Sequence, residues 1–143
     1  MVCSAGGHLT EALLAVAGVE YPRYFVTYKL PHLDESFKGE EYYYITNPHK
    51  FLWKYPWNFI QSLLLYLKKR PKVILSTGSG MAIATCIIGK ILGSKVIFIE
   101  ISARVHDPSW TARLVYYFSD LFIVQWEPLL KYFPKARFGG LLF

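Results

Sequence analysis

The sequence predicts a doubly wound α/β domain with a parallel sheet, spanning residues 1–143. Two observations support this prediction. Short apolar runs at 1–4 and 73–76 each lead into a glycine-rich turn, and each turn opens a helix-like stretch. The second unit continues as strand, helix and strand over 73–99, with Gly93 and Ser94 forming a connection of ordinary length before the last strand. Such alternation favours parallel strands with helices packed on the sheet.

The individual elements follow from local composition. Gly18 ends the first helix, Pro56 opens the second, and the cluster 68–71 ends it, while 29–41 reads as a polar loop. The first strand is only about four residues long, short for a sheet centre, so upstream residues, including an anchor, stay an open alternative. The predicted strands are 1–4, 24–27, 42–45, 73–76, 95–99 and 121–124, and the predicted helices are 9–17, 56–69, 81–92, 110–118 and 127–133.

The composition restricts the class of protein. Hydrophobic residues make up 53% of the chain and charged residues 18%. This charged fraction is low for a freely soluble monomer. It predicts an apolar surface that a membrane or another protein covers. No stretch reaches the roughly 18–20 apolar residues that a spanning helix needs, and no signal peptide is apparent. Cys3 and Cys86 lie in apolar runs without metal-ligand spacing, as in a reduced cytosolic protein.

The segment 50–72 concentrates charge and aromatic residues. It contains six basic residues and no acidic one, a local charge equal to the net +6 of the whole chain. Lysines and aromatics around an amphipathic helix are typical of an interfacial membrane segment. The alternative is a core helix that buries its Leu and Ile stripe against the sheet. No nucleic-acid motif accompanies the segment, so we expect no nucleic-acid partner. The predicted membrane contacts are Phe51, Trp53, Lys54, Tyr55, Trp57, Lys68, Lys69 and Arg70.

The first glycine turn, Gly6-Gly7-His8, places a helix N-terminus at the edge of the predicted sheet, where backbone N–H groups can hold a phosphate. His8 could accept a proton from an attacking hydroxyl, or bind phosphate when charged. Glu11 follows three residues later and faces the same side. The alternative is that His8 caps the helix and Glu11 interacts with its dipole.

The second turn, Thr77-Gly78-Ser79-Gly80, offers hydroxyls and close backbone approach, or is only a tight connection. It matches neither the dinucleotide fingerprint nor a P-loop, so NAD-dependent and ATP-hydrolysing functions lack their motifs.

A third candidate site follows the strand 95–99. Glu100 directly follows that strand, at the crevice where open α/β sheets bind ligands. Arg104 could hold a diphosphate with two parallel hydrogen bonds. The alternative is an ion pair between the two side chains that holds a loop. His32, His49 and His106 read as solvated, and we expect no metal site.

Together these motifs resemble one family. Gly6-Gly7-His8 with Glu11, the run 76–80, the run 98–105 and the tail 120–140 are similar to landmarks of the membrane-associated, acceptor-side subunit of split lipid-linked-oligosaccharide glycosyltransferases. That family includes the eukaryotic subunit that recruits the second N-acetylglucosamine transferase of the dolichol pathway, and bacterial capsule and exopolysaccharide proteins. More distantly, the chain is similar to the N-terminal half of the peptidoglycan lipid-intermediate N-acetylglucosaminyltransferase.

The resemblance implies a Rossmann-like domain equivalent to the N-terminal half of a GT-B glycosyltransferase, without metal or cofactor. A separate chain would supply the UDP-sugar domain, catalysis would occur between the two, and the isolated chain would be inactive. The acceptor would be a polyprenyl- or dolichyl-diphosphate-linked sugar at the cytoplasmic face of the plasma membrane or endoplasmic reticulum. The hydrophobic N-terminal anchor of the eukaryotic members has no counterpart within residues 1–143, so we expect 51–67 to contact the membrane.

The resemblance also implies site residues, although which of them is the base stays open. The implied catalytic residues are His8, Glu11 and Glu100, and the implied diphosphate ligands are Gly6, Gly7, Thr77, Gly78, Ser79, Gly80 and Arg104. A non-catalytic membrane scaffold, a stand-alone nucleotide-binding enzyme and a flavodoxin-like electron carrier remain the alternatives.

Overall fold

The computed structural model describes residues 1–31, 33–37, 39–49 and 51–142, so Lys50 of the basic segment and His32 lie outside the described residues. The helices are α1 (Gly7–Ala15), α2 (Tyr55–Lys69), α3 (Ala82–Ile91) and α4 (Trp110–Val115). The strands are β1 (Tyr24–Thr27), β2 (Glu41–Tyr44), β3 (Val73–Ser76), β4 (Lys95–Ile99), β5 (Leu121–Val124) and β6 (Arg137–Phe138).

The strands form one parallel arrangement in two parts. β1 pairs with β2, and β3, β4, β5 and β6 follow one another in a second group. The segment 1–4 joins the groups, because Val2 bridges in parallel to both Val26 and Ser76. With that segment counted as strand 1 and β1–β6 as strands 2–7, the spatial order is 3-2-1-4-5-6-7. This is the doubly wound Rossmann order with one further strand, β6, at the edge. The structure therefore confirms the predicted fold class.

Several details differ from the prediction, among them the predicted helix 127–133, which is a 3-10 helix over Glu127–Lys131. The segment 1–4 pairs at a single residue rather than as a full strand, because the chain turns into α1 at Gly6. The predicted polar loop 29–41 contains a 3-10 helix, Leu33–Phe37, whose two end residues are buried. The two-residue strand β6 was not predicted, and α4 ends at Val115 rather than at 118.

Two hydrophobic clusters lie on opposite faces of the sheet. One packs α2, α3 and α4 against β3, β4 and β5, around Phe98 and Phe122. The other packs α1 and the 33–37 helix around Phe25. The cysteines Cys3 and Cys86 are free and buried, and burial raises the pKa of each thiol to about 12. This arrangement leaves the carboxyl ends of the strands facing one edge, where the glycine turns lie.

Candidate active site

His8 joins the two glycine turns. Its Nδ1 lies 2.7 Å from the carbonyl oxygen of Thr77, and the Thr77 hydroxyl donates to the His8 carbonyl oxygen at 2.6 Å. Because a carbonyl oxygen only accepts, Nδ1 must be the protonated nitrogen, which leaves Nε2 of the neutral ring as a proton acceptor. Gly78 permits this contact, since a Cβ there, at φ 113°, would lie 3.0 Å from the imidazole. The structure thus fixes both the ring orientation and the tautomer of His8.

The N-termini of α1 and α3 lie next to each other beside this histidine. Within the described part of the chain, the backbone N–H groups of Gly7, His8, Ser79 and Gly80 have no hydrogen-bond acceptor. Two helix N-termini with available N–H groups are well suited to bind an anion. Thr77 is different, because it is fully buried and engaged with His8, so contact between its side chain and a ligand is not supported.

Glu11 is buried at 2% exposure inside the edge of the sheet. Its Oε1 accepts hydrogen bonds from the Ser102 N–H (3.0 Å) and the Ser102 hydroxyl (2.7 Å), and its Oε2 accepts from the Gln125 amide (2.7 Å). Both carboxylate oxygens are therefore occupied by donors of the protein. Glu11 connects α1 to the loop after β4 and to the end of β5, and it presents no oxygen to a substrate in this arrangement.

Glu100 is also buried, at 1% exposure, and it does not pair with Arg104. Its two oxygens accept from the Ser109 N–H (2.7 Å) and the Ser109 hydroxyl (3.0 Å), and that same hydroxyl caps α4 by accepting from the Ala112 N–H. Burial raises the pKa of the Glu100 carboxyl above its usual value, and the Ser109 hydrogen bonds oppose this effect. The alternative of an ion pair with Arg104 is therefore wrong: Glu100 holds Ser109, which caps α4, and Arg104 is exposed on the loop.

Residues that the sequence analysis did not single out complete this buried network. The Gln125 amide donates to Glu11 and, at 3.1 Å, to the Glu100 carbonyl oxygen, while its own oxygen accepts from the Leu142 N–H. Trp126 donates from its indole nitrogen to the Ser102 carbonyl oxygen at 2.6 Å. The position of Gln125 could have indicated its role, because it directly follows β5 just as Glu100 directly follows β4.

A cavity of about 290 Å³ lies beside the second glycine turn. His49, which the sequence analysis read as solvated, is exposed but lines this cavity. The other lining residues come from the carboxyl ends of the segment 1–4, β1, β2 and β3, and they are Ser4, Tyr28, Asn47, Ser79 and Gly80.

Helix α2 buries three polar side chains and exposes several of its large apolar ones. Asn58 donates to the Thr46 carbonyl oxygen at 2.8 Å, Ser62 accepts from the Thr85 hydroxyl at 3.0 Å, and Tyr66 donates to the Leu92 carbonyl oxygen at 3.1 Å. The outward side chains are between 43% and 62% exposed, and they are Trp57, Phe59, Ile60, Leu64 and Leu67. The alternative of a core helix is therefore wrong. Only Leu63 of its expected stripe packs against the core, and the other three members, Ile60, Leu64 and Leu67, are exposed.

The 3-10 helix Leu52–Lys54 before α2 extends this apolar surface, which we call the 51–67 face. Phe51, Leu52 and Trp53 are 53%, 79% and 73% exposed, and the Lys54 ammonium lies over two of their rings. No helix among the described residues is both long and apolar enough to cross a bilayer.

Two of the predicted membrane contacts are placed elsewhere. Tyr55 is half-buried, and its hydroxyl lies 3.0 Å from where a Cβ of Gly80 would stand, because the first turn of α2 packs on the second glycine turn. Lys69 pairs with Glu41 at 2.6 Å and lies over the ring of Tyr43. Lys68 and Arg70 remain exposed at the end of α2.

A family model described as "Oligosaccharide biosynthesis protein Alg14 like" matches residues 44–142, which is more than half of the chain. The chain belongs to the Alg14 family. The matched span includes the second glycine turn, Glu100 and Gln125, whereas His8 and Glu11 precede it.

Several relatives have the name UDP-N-acetylglucosamine transferase subunit. The Candida albicans protein is 38% identical over 92 residues, which cover 60% of this chain and 42% of that protein. The mouse protein is 28% identical over 127 residues, covering 85% and 54%, and the human protein is 26% identical over 126 residues, covering 84% and 54%. This chain spans about half the length of the relatives it matches.

The fold of this Alg14-family chain is similar to that of MurG from Acinetobacter baumannii, with a TM-score of 0.73 at 12% identity. The match covers 89% of this chain and 42% of MurG. The shared architecture is the Rossmann-like N-terminal domain of a GT-B glycosyltransferase, as the resemblance implied.

Proposed function

We propose that this chain is the acceptor-binding and membrane-recruiting subunit of a two-chain glycosyltransferase. The reaction would transfer N-acetylglucosamine or another hexose from a UDP-sugar to a polyprenyl- or dolichyl-diphosphate-linked sugar, in oligosaccharide or polysaccharide biosynthesis. The relatives are named as subunits of a UDP-N-acetylglucosamine transferase, which supports both the donor class and the need for a further chain. The central observation is His8 Nε2, an available proton acceptor beside two helix N-termini.

The chemistry of an inverting transfer accounts for this arrangement. The acceptor hydroxyl oxygen attacks the anomeric carbon of the donor sugar, the bond from that carbon to UDP breaks, and the hydroxyl proton passes to His8 Nε2. The N–H groups at the two glycine turns would hold the acceptor diphosphate, which would place the hydroxyl near the base. The departing UDP would be stabilised mainly by the partner chain, with Arg104 as the cation that this chain offers.

Glu11 and Glu100 fit this mechanism as positioning residues. Each is buried with both oxygens accepting from the protein, so neither has geometry for direct proton transfer. Through Ser102 and Ser109 they would set the loop that displays Arg104 toward the cleft. This refines the earlier assignment, which gave both carboxylates a catalytic role.

Activity with and without a partner tests the proposal. We expect the purified chain to be inactive with UDP-N-acetylglucosamine and a short polyprenyl-diphosphate-linked N-acetylglucosamine, and to become active with a UDP-sugar-binding subunit from the same genome. Robust turnover by the single chain would instead indicate a stand-alone enzyme. Full activity of the His8→Ala complex would indicate a scaffold.

Membrane recruitment is proposed from the 51–67 face. Its exposed aromatic and aliphatic side chains are flanked by Lys54, Lys68 and Arg70, as expected for insertion among anionic headgroups. Each such cation contributes about 1 kcal/mol near an anionic surface, enough together for reversible attachment.

Liposome flotation tests this recruitment. Reversal of Lys54, Lys68 and Arg70 to Glu should release the chain from vesicles containing phosphatidylserine, and high salt should release part of the wild type. A matched triple reversal at the exposed residues Lys29, Lys131 and Lys135 keeps the same net charge and should still float. Equal flotation of both variants would assign the 51–67 face to a protein partner.

A further inference from the structure

The tail run that carries the family resemblance contains a tryptophan, Trp126, to which the chemistry above gives no role. It lies just beyond the end of β5 and is only partly exposed. Its indole nitrogen donates to the Ser102 carbonyl oxygen at 2.6 Å. This hydrogen bond joins the end of β5 to the turn that follows β4.

Ser102 is the residue by which that turn is held. The turn spans residues 101–104, because the Arg104 N–H donates to the Ile101 carbonyl oxygen at 3.0 Å. The Ser102 N–H and hydroxyl both donate to Glu11 on α1, while the Ser102 carbonyl oxygen accepts from Trp126. All three polar groups of Ser102 therefore have partners on other elements. A turn that is bound on two sides has little freedom to move.

The same turn lies beside the first glycine turn and displays Arg104. The Ile101 Cδ1 lies 3.7 Å from where a Cβ of Gly7 would stand, and Gly7 directly precedes His8. Arg104 is exposed, and no carboxylate of the described residues forms an ion pair with it. A guanidinium on a fixed backbone loses less conformational freedom when it binds an anion. The position of Arg104 thus depends on the contacts of the turn that carries it.

We propose that Trp126 is a positioning residue, which fixes the 101–104 turn through Ser102 and thereby holds Arg104 where negative charge develops on the departing UDP. In this scheme Trp126 touches no reacting atom and acts only through Arg104. The inference rests on the proposed function, because that function supplies the UDP. It adds to it the residue that sets the position of the one cation this chain offers.

Amide hydrogen exchange of the chain tests whether Trp126 fixes the turn. Trp126→Phe removes the donor and keeps an aromatic ring, so the Ser102 and Arg104 amides should exchange about tenfold faster than in the wild type. The Ala112 amide, which the Ser109 hydroxyl holds at the start of α4, should exchange at the wild-type rate. Unchanged exchange of the Ser102 and Arg104 amides in Trp126→Phe would overturn the inference.

A double-mutant cycle in the two-chain complex tests whether Trp126 acts through Arg104. Trp126→Phe should lower kcat by about tenfold and leave the KM for the lipid-linked acceptor near that of the wild type. Arg104→Ala should lower kcat by about 10², and adding Trp126→Phe to it should lower kcat no further. A tryptophan that serves only packing would give losses that multiply. Multiplied losses, or a wild-type kcat in Trp126→Phe, would therefore overturn the inference.

Two further variants separate positioning from a general loss of structure. Ser102→Ala deletes only the hydroxyl bond to Glu11, so it should lower kcat by a smaller factor than Trp126→Phe does, again with no added loss beside Arg104→Ala. Trp110→Phe makes the matched ring exchange at a side chain that is 79% exposed. It should keep the wild-type kcat and the wild-type amide exchange. A loss of kcat in Trp110→Phe as large as in Trp126→Phe would contradict the proposed role.

The outcomes also separate this inference from the proposed function. Sugar transfer by the wild-type complex, with unchanged exchange or unchanged kcat in Trp126→Phe, would overturn only the role of Trp126. Absence of transfer by the wild-type complex would overturn the proposed function and, with it, the part of the inference that concerns UDP. Faster exchange of the Ser102 and Arg104 amides in Trp126→Phe would then still show that Trp126 holds the turn.

Discussion

His8 and the two buried glutamates lie at the same edge of the sheet but differ in what they leave available. The imidazole of His8 donates one hydrogen bond, to Thr77, and its other nitrogen has no partner within the described chain. Glu11 and Glu100 are nearly inaccessible, and every carboxylate oxygen accepts from a protein donor. All three residue types are common acids and bases, so the difference lies in their surroundings and not in their intrinsic chemistry.

The comparison shows that the two buried carboxyl groups at this edge of the sheet hold loops in place. Glu11 joins α1 to the loop after β4, and Glu100 holds the start of α4 through Ser109. Loops fixed in this way keep a site rigid enough to orient a substrate. Replacement of these glutamates should therefore act mainly on stability, whereas replacement of His8 should lower the rate.

The largest expected effect on stability is at Glu11. In Glu11→Gln the new amide must face either the Ser102 N–H or the Gln125 amide, so donor meets donor in both orientations. Gln125 cannot rotate to compensate without losing its bonds to the Glu100 carbonyl oxygen and the Leu142 N–H. We expect a loss of about 1–3 kcal/mol in the free energy of unfolding, measured by urea denaturation.

The exposed Glu20→Gln is the control and should change stability very little. Wild-type stability of Glu11→Gln would show that the network does not hold Glu11 as described.

A smaller effect is expected at Glu100, because its partner can adapt. The Ser109 hydroxyl can accept from an amide as well as donate to a carboxylate, so Glu100→Gln should stay within about 1 kcal/mol of the wild type at pH 7. The substitution should also change how the folding stability depends on pH.

The sign follows from the raised pKa of Glu100 in the folded protein. The folded state retains this proton to higher pH than the unfolded state, so the contribution of Glu100 is most favourable below its ordinary pKa and declines as pH rises through the window just above it. Relative to the wild type, Glu100→Gln should therefore gain stability as pH increases across that window. A pH-independent difference in melting temperature between the two proteins would contradict this.

Much of the fold could be predicted because the parallel strands are recognisable from their local sequence. The runs 24–27, 73–76, 95–99 and 121–124 form strands with the predicted bounds, since apolar and β-branched runs between turn residues admit few other structures. Strand β6 was missed because its two residues are exposed and only their pairing with the end of β5 makes them a strand. The 33–37 helix was missed because only its two end residues are buried.

The site was less predictable, because its decisive features are contacts between distant segments. The positions of His8 and Glu11 follow from sequence, but the tautomer of His8 depends on Thr77 and the burial of Glu11 on Gln125, 114 residues away. The outward apolar face of α2 likewise depends on Thr46, Thr85 and Leu92, which satisfy its inward polar side chains. No local sequence pattern predicts these hydrogen-bond partners, because they are distant along the chain.

The most direct test of the account compares the turnover of His8→Ala and Glu100→Gln in the two-chain complex with its UDP-sugar-binding partner. If His8 is the base, His8→Ala should lower kcat by about 10² to 10⁴ with donor binding nearly intact, whereas Glu100→Gln should retain most of the rate. The melting temperatures of both complexes should stay close to that of the wild type. A wild-type kcat in His8→Ala, or a loss in Glu100→Gln as large as that predicted for His8→Ala, would contradict the assignment of His8 as the base.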